Sequence, residues 1–216
     1  MLDKTDLLGA LPPELLEQLR HRSALVKYRR GDLVFAKNDV AAELFVIVSG
    51  RVAITAASSD DRESVISVLG SGALFGEMPL FDGGGRSATA RALTPVQAVA
   101  IAFDDVRDVL TQRPELLWPV VAILARRLRA TDEALADAVF LDVTGRTAKR
   151  LLELADGQSE FRMPLTQEEL AGMVGASRER VNKAIATFVR LGWLEVSGRG
   201  QYRILDRDEL IARARS

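Results

Sequence analysis

The sequence predicts an α+β chain in three parts: an N-terminal β sandwich or barrel, one long amphipathic helix, and a helical C-terminal unit closing in a β hairpin. Three observations carry this reading. Short β-branched runs separated by glycine fill residues 26–103. Apolar side chains then recur in alternating steps of four and three over residues 114–142, and a helix-turn-helix-hairpin pattern follows. The expected boundaries are 1–113, 114–142 and 143–216.

In the first part KYRRGDLVFA, ELFVIVSGRVAIT, RESVISVLGSG and ATARALTPVQAVAIA each hold alternating or β-branched runs of five to eight residues. Gly31, Gly50, Gly70 and Gly72 fall between them at turn positions. Many short strands with regular turn signals build sandwiches and barrels. A leading helix is expected over Pro12–Arg20, because proline is tolerated in a first turn.

In the second part Leu117, Val121, Leu124, Leu128, Thr131, Leu135 and Ala138 form an a/d seam over about three heptads. Such a stripe can bury itself against its own domain. The narrow a/d spacing, in place of a broad apolar face, favours a two-stranded coiled coil between copies of the chain. Thr131 is the single polar member, and a buried hydroxyl needs a partner.

In the third part GRTAKRLLELA reads as a helix, and LTQEELAGMVGASRERVNKAIATFVRLGWL as two helices joined by a tight turn. LEVSGRGQYRIL reads as a hairpin, and DRDELIARARS as a short helix or tail. Thr166 and Glu169 have the spacing of a capping box. Gly175 stands where the chain needs positive φ, and Ser177 caps the second helix. Val181, Ile185, Phe188 and Val189 supply its inward face.

Composition excludes several chemistries. The 216 residues include no Cys and a single His, His21. Disulfides, zinc ribbons, iron–sulfur clusters and thiol nucleophiles are therefore ruled out, and haem or a catalytic triad would rest on His21 alone. No His lies between Val26 and Phe103, so a metal-dependent jelly-roll enzyme is poorly supplied. The N-terminus has acids where a signal peptide is basic, and WPVVAILA is far short of the ~20 residues of a membrane span. A cytoplasmic protein without membrane contact is expected. The formal net charge of −1 hides an asymmetry: residues 143–216 carry 13 Lys and Arg against 10 Asp and Glu. That excess points weakly to a polyanionic partner.

The outward residues near the start of the second helix are Arg178, Glu179, Asn182 and Lys183. Arg pairs bidentately with guanine O6 and N7, Glu accepts from cytosine N4, and Lys donates to guanine. A helix-turn-helix presents these N-terminal positions to the DNA major groove. Arg199, and with less support Arg203, would reach phosphates from the hairpin as a wing. A solvated helix with mixed charges is the plain alternative.

The stretch FGEMPLFDGGGRSATA at 75–90 combines flexible glycines with Glu77, Arg86 and Ser87. Backbone amides near Gly76, together with Arg86 and Ser87, suit a phosphate, while Glu77 suits a sugar hydroxyl. Gly83–Gly85 is no P-loop, since no Gly-Lys-Ser/Thr follows. A plain glycine-rich surface loop has the same composition.

Taken together, GRVAI, FGEMPLFDGGGRSATA, ARRLRATDEAL, FLDVTGR and LTQEELAGMVGASRERVNKAI occur in an order in which nearly the whole chain resembles the cAMP receptor protein (Crp–Fnr) family of transcription regulators. The resemblance implies an N-terminal β jelly-roll cyclic-nucleotide-binding domain, a long dimerisation helix and a C-terminal winged helix-turn-helix. It places Gly76 and Glu77 at the nucleotide, with Glu77 on the ribose 2′-hydroxyl. Arg86 and Ser87 would meet the cyclic phosphate, and Thr131 the purine. Arg178, Glu179 and Lys183 match the base-reading positions and suggest half-sites similar to TGTGA. Lys183 is often Arg in the family, which would loosen discrimination there. The partners implied are double-stranded DNA, a second copy joined through 114–142, and RNA polymerase; the chain would not be an enzyme.

Two features depart from the family. Pro79 and Gly83–Gly85 alter the loop between Glu77 and Arg86. Asp132 stands where a small polar residue commonly meets the base from the partner subunit. Its carboxylate accepts from the adenine 6-amino group, which suits cAMP, and equally from guanine N1–H and N2–H₂, which leaves cGMP open. Within the family, a regulator that needs no effector or senses another ligand is the alternative.

Overall fold

The computed structural model describes residues 21–57 and 63–215 together with Glu14 and Glu17; the side chains of Ala57, Glu63 and Arg199 lie outside that description. The helix expected over Pro12–Arg20 lies largely outside the described residues, Glu14 and Glu17 being helical. The chain divides into two compact units, residues 1–56 with 67–129, and residues 130–216 with 57–66.

The first unit is β-rich. The strands before residue 103 are β1 (Ala24–Tyr28), β2 (Leu33–Phe35), β3 (Glu43–Ser49), β4 (Val52–Ala57), β5 (Glu63–Leu69), β6 (Leu74–Phe75), β7 (Thr89–Ala92) and β8 (Val96–Ala102). They form two four-stranded sheets, ordered β1-β8-β3-β6 and β2-β7-β4-β5. Side chains alternate across a strand, so the near-continuous apolar run of β3 is buried on both faces. Leu44 and Val46 join Leu74, Ile101, Phe103, Val106, Leu116 and Val120 in one core cluster. Phe45 and Ile47 join Val52, Phe75, Ala90, Val96 and Ala98 in the other.

Three helices interrupt or follow these strands: α1 (Met78–Asp82), α2 (Phe103–Gln112) and the 24-residue α3 (Leu117–Phe140). Helix α2 was not expected. Its ten residues carry two acids in the first turn, which favour a helix N-terminus. Phe103, Val106 and Val109 supply a buried stripe too short to separate from the strand before it. Helix α3 buries only Val120 among its residues.

The second unit holds α4 (Val143–Ala155), β9 (Glu160–Arg162), α5 (Gln167–Val174), α6 (Arg178–Arg190), β10 (Leu194–Ser197), β11 (Gln201–Ile204) and α7 (Arg207–Arg213). Asp142 caps α4 by accepting from Gly145 N–H at 2.7 Å, and Arg213 Nη2 lies 2.5 Å from both oxygens of the same carboxylate. The C-terminal hairpin is a three-stranded sheet, β10-β11-β9. The third strand went unforeseen because β9 has three residues and one buried side chain, Phe161, which stacks on Tyr202 at 5.6 Å between centroids. Among the described residues no helix is long and apolar enough to cross a membrane.

Candidate functional site

The loop from β6 to β7 gathers Gly76, Glu77, Arg86 and Ser87 within one unit. Gly76 has φ +77°, which glycine adopts without penalty. A Cβ there would stand 2.5 Å from Arg86 Nη1 and 3.2 Å from Phe35 Cε1, so glycine also makes the space in which the guanidinium lies. Arg86 donates from Nη1 to Gly76 O at 2.6 Å. The loop is tied to the β2–β3 connection by Arg86 N–H to Asp39 O at 3.0 Å and Asn38 N–H to Arg86 O at 2.8 Å.

Arg86 is only 4% exposed, and its Nε has no hydrogen-bond partner among the described residues. Burial lowers its pKa, against the opposing pull of Glu43, Asp39 and Glu77. Arg86 is therefore a buried cation with donor capacity left over. Glu77 is buried and accepts from Arg127 Nη1, while Arg127 Nη2 donates to Leu74 O. Ser87 is exposed, and its hydroxyl donates to Met78 Sδ at 3.2 Å. The departures Pro79 and Gly83 bound the short helix α1: Pro79 sits in its first turn, and Gly83 caps it at φ +69°.

Sequence reading missed Arg127. A signal existed, for Arg127 stands four residues before Thr131 on one helix face. Thr131 and Asp132 lie on α3 in the second compact unit, and both are exposed. The seam is exposed too, from 37% at Leu124 to 66% at Leu135. A row of apolar side chains left in water along a helix marks an association surface.

The helix-turn-helix is built from strong local signals. Thr166 Oγ1 accepts from Glu169 N–H at 3.2 Å, and Glu169 Oε2 accepts from Thr166 N–H at 2.7 Å, which completes the capping box. Gly175 turns the chain at φ +70°, with Ala176 N–H donating to Ala171 O at 3.1 Å. Arg146 Nε donates to Val174 O at 2.8 Å, placing a cation at the C-terminal end of α5. Ser177 Oγ accepts from Arg180 N–H at 3.4 Å to start α6. Val181, Ala184, Ile185 and Phe188 are buried, and Phe188 stacks on Trp193 at 5.8 Å. Val189, expected inward, is 43% exposed; Ala184 takes its place, three residues after Val181.

Arg178, Glu179, Asn182 and Lys183 are all exposed on α6. Arg203, which the hairpin suggested for phosphate, pairs with Glu160 at 2.7 Å and Glu195 at 3.1 Å on the flanking strands. The side chain of Arg199 lies outside the described residues. His21 is exposed, its Nε2 3.7 Å from Glu17 Oε1.

Residues 25–113 match the cyclic nucleotide-binding domain family, and residues 145–213 the Crp-like helix-turn-helix domain family. The chain is 38% identical, over all of its length and 99% of the relative's, to a CRP-like cAMP-activated global transcriptional regulator of Mycobacterium tuberculosis. It is similar to the c-di-GMP responsive global regulator CLP of Xanthomonas campestris at 27% identity and a TM-score of 0.74, covering 90% of this chain and 99% of that one. Its fold also matches FixK2 from Bradyrhizobium japonicum with a TM-score of 0.81 at 19% identity, over 88% of this chain and 96% of that one. A β-rich nucleotide-binding domain, a long helix and a C-terminal helix-turn-helix thus stand in one chain, and the chain belongs to the CRP/FNR family of DNA-binding transcription regulators.

Proposed function

We propose that the protein works as a homodimer whose DNA binding is gated by a cyclic nucleotide, cAMP being the preferred effector. The observation that carries this is Arg86, a buried guanidinium with an unpartnered Nε, on the same loop as the buried Glu77. Burying a charge is costly unless something compensates it, and a cyclic phosphate supplies the missing acceptor. Glu77 takes the ribose 2′-hydroxyl, and Gly76 and Ser87 complete the phosphate cradle. Thr131 and Asp132 meet the base, Asp132 from the neighbouring subunit, with cGMP as the competing purine. Arg127 shares Glu77 with the sugar, so nucleotide binding and the position of α3 are linked.

The exposed seam of residues 117–138 is the dimer surface. A nucleotide with different affinities for two arrangements of that helix biases the DNA-reading helices. Arg178, Glu179, Asn182 and Lys183 then enter successive major grooves about one DNA turn apart on a near-palindrome, with Arg199 on phosphate. The regulator acts in the cytoplasm through RNA polymerase and performs no catalysis of its own.

Calorimetric titration of cAMP and cGMP into the wild-type chain and Arg86→Ala tests the pocket. Saturable cAMP binding that disappears in the variant is expected; equal binding in both would refute the assignment of Arg86. A second effector class, the cyclic dinucleotides, enters through the relative described as c-di-GMP responsive, and c-di-GMP belongs in the same titration.

A further inference from the structure

Among the described residues the Arg86 guanidinium donates to Gly76 O at 2.6 Å, and its Nε has no partner. Beyond the nearby carboxylates of Glu43, Asp39 and Glu77, its support is an aromatic face. The guanidinium carbon lies 4.1 Å from the centroid of the Phe35 ring, while Phe45 and Phe103 are at 5.5 and 5.9 Å. Phe35 is the nearest of the three rings.

Phe35 is itself held firmly. Its ring lies 6.0 Å from Phe45 and 5.9 Å from Phe75, at interplanar angles of 30° and 31°, and those two rings stack at 5.3 Å. The strand carrying it has a register irregularity between Leu33 and Phe35 against β7, where Phe35 pairs with Ala90. Such irregularities re-aim side chains. Lys37 N–H to Thr89 Oγ1 at 3.0 Å fixes the turn that follows the strand to β7.

We infer that Phe35 is a positioning residue for the effector site: its ring fixes the plane of the Arg86 guanidinium so that the edge donors point to an incoming anion. This rests on the proposed assignment of Arg86 to the cyclic phosphate. A guanidinium offers its donors only in its own plane, and a ring on one face removes the rotation that would scatter them. The ring quadrupole also attracts the cation where water is largely excluded. Leucine or methionine at position 35 fills the apolar volume but presents no face. A purely structural role for Phe35 predicts that packing volume alone matters; the positioning role predicts that aromaticity matters, and only while residue 86 is a planar cation.

The test measures cAMP affinity by calorimetry in the full-length chain for wild type, Phe35→Leu, Phe35→Met, Phe35→Tyr, Arg86→Lys and the double variant Phe35→Leu/Arg86→Lys, with thermal unfolding of each. Phe35→Leu and Phe35→Met should bind cAMP roughly 5- to 30-fold more weakly, the loss of a desolvated cation–π contact. Phe35→Tyr should remain within about twofold of wild type, since the π face is kept. Phe35→Leu should add less than about twofold to the loss in Arg86→Lys, because an ammonium has no plane to orient. Wild-type affinity in both aliphatic variants overturns the inference. So does equal loss in Phe35→Tyr, or a loss in the double variant as large as in Phe35→Leu alone. If Phe35→Leu unfolds, Phe35→Met decides the first comparison. Wild-type protein that binds no cAMP, or Arg86→Ala that binds it unchanged, overturns the site assignment and this inference with it. Binding lost in Arg86→Ala but unchanged in the aliphatic variants overturns the inference alone.

Discussion

Replacing Gly76 with alanine separates backbone strain from pocket geometry. The residue sits at φ +77°, where an L side chain costs about 1–2 kcal/mol. The new methyl would stand 2.5 Å from Arg86 Nη1. That is roughly 1 Å inside an ordinary non-bonded contact. Phe35 at 3.2 Å blocks relief on that side, so the guanidinium must move. Moving it breaks the charge-assisted bond to Gly76 O and shifts the donors away from the effector. Losing one such bond to a phosphate costs about 1.5–3 kcal/mol, or roughly 10- to 150-fold in affinity. Gly31→Ala is the control: φ is +91°, yet nothing among the described residues lies within 4 Å of the added atom. Both variants should unfold a few degrees below wild type, at about 2–4 °C per kcal/mol for a chain of this size. Only Gly76→Ala should lose cAMP affinity, by at least about tenfold in calorimetry. Equal cAMP affinity in Gly76→Ala and Gly31→Ala would refute the reasoning.

Three further outcomes are expected. Burial alone would raise the Asp142 pKa, but Gly145 N–H and Arg213 outweigh it and hold the carboxyl below its ordinary value. A depressed folded-state pKa gives stability that is present above the unfolded value near 3.9 and lost as pH falls through the folded value. Asp142→Asn keeps the cap acceptor and removes the charge, so the melting-temperature gap from wild type should close below about pH 4; a gap constant from pH 7 to pH 3 contradicts this. Leu128, 63% exposed on the seam, should when changed to Glu yield monomers in sedimentation velocity, whereas a dimer of unchanged strength would remove the seam from the interface. Arg178→Ala should weaken binding to a TGTGA-type duplex by about 1–3 kcal/mol and relax one base position. Arg203→Ala, whose charge is already matched by Glu160 and Glu195, should leave affinity within about twofold and the salt slope unchanged; a slope reduced by about one would restore Arg203 as a phosphate contact.

What the sequence made legible was local. The Thr166–Glu169 capping box, the Gly175 turn and the Ser177 cap involve residues three apart or single backbone positions, and each is in place. The exposed stripe on α3 was likewise readable, because a seven-residue apolar repeat reports its own geometry. Long-range pairings were not. Arg127 meets Glu77 across 50 positions, and although it lies four residues before Thr131 on one face of α3, nothing local names Glu77 as its partner. Phe35 reads as one more apolar strand residue until Arg86, far along the chain, lies over its ring. Helix α2 went without an assignment because its first residue, Phe103, continues the apolar run of β8 and leaves the helix only a short buried stripe. The partners of Arg203 were hidden for a related reason: a basic residue in a wing suggests phosphate, and only the unforeseen strand β9 brings Glu160 beside it.

The central claim is that the nucleotide pocket governs the DNA-reading helix. Fluorescence anisotropy of a labelled near-palindromic duplex, titrated with wild type and Arg86→Ala with and without cAMP at fixed salt, tests it most directly. The account predicts that cAMP tightens wild-type binding by roughly 5- to 150-fold, the usual range of allosteric coupling, and leaves Arg86→Ala unaffected. Identical wild-type affinity with and without cAMP, or an equal response in Arg86→Ala, would contradict it.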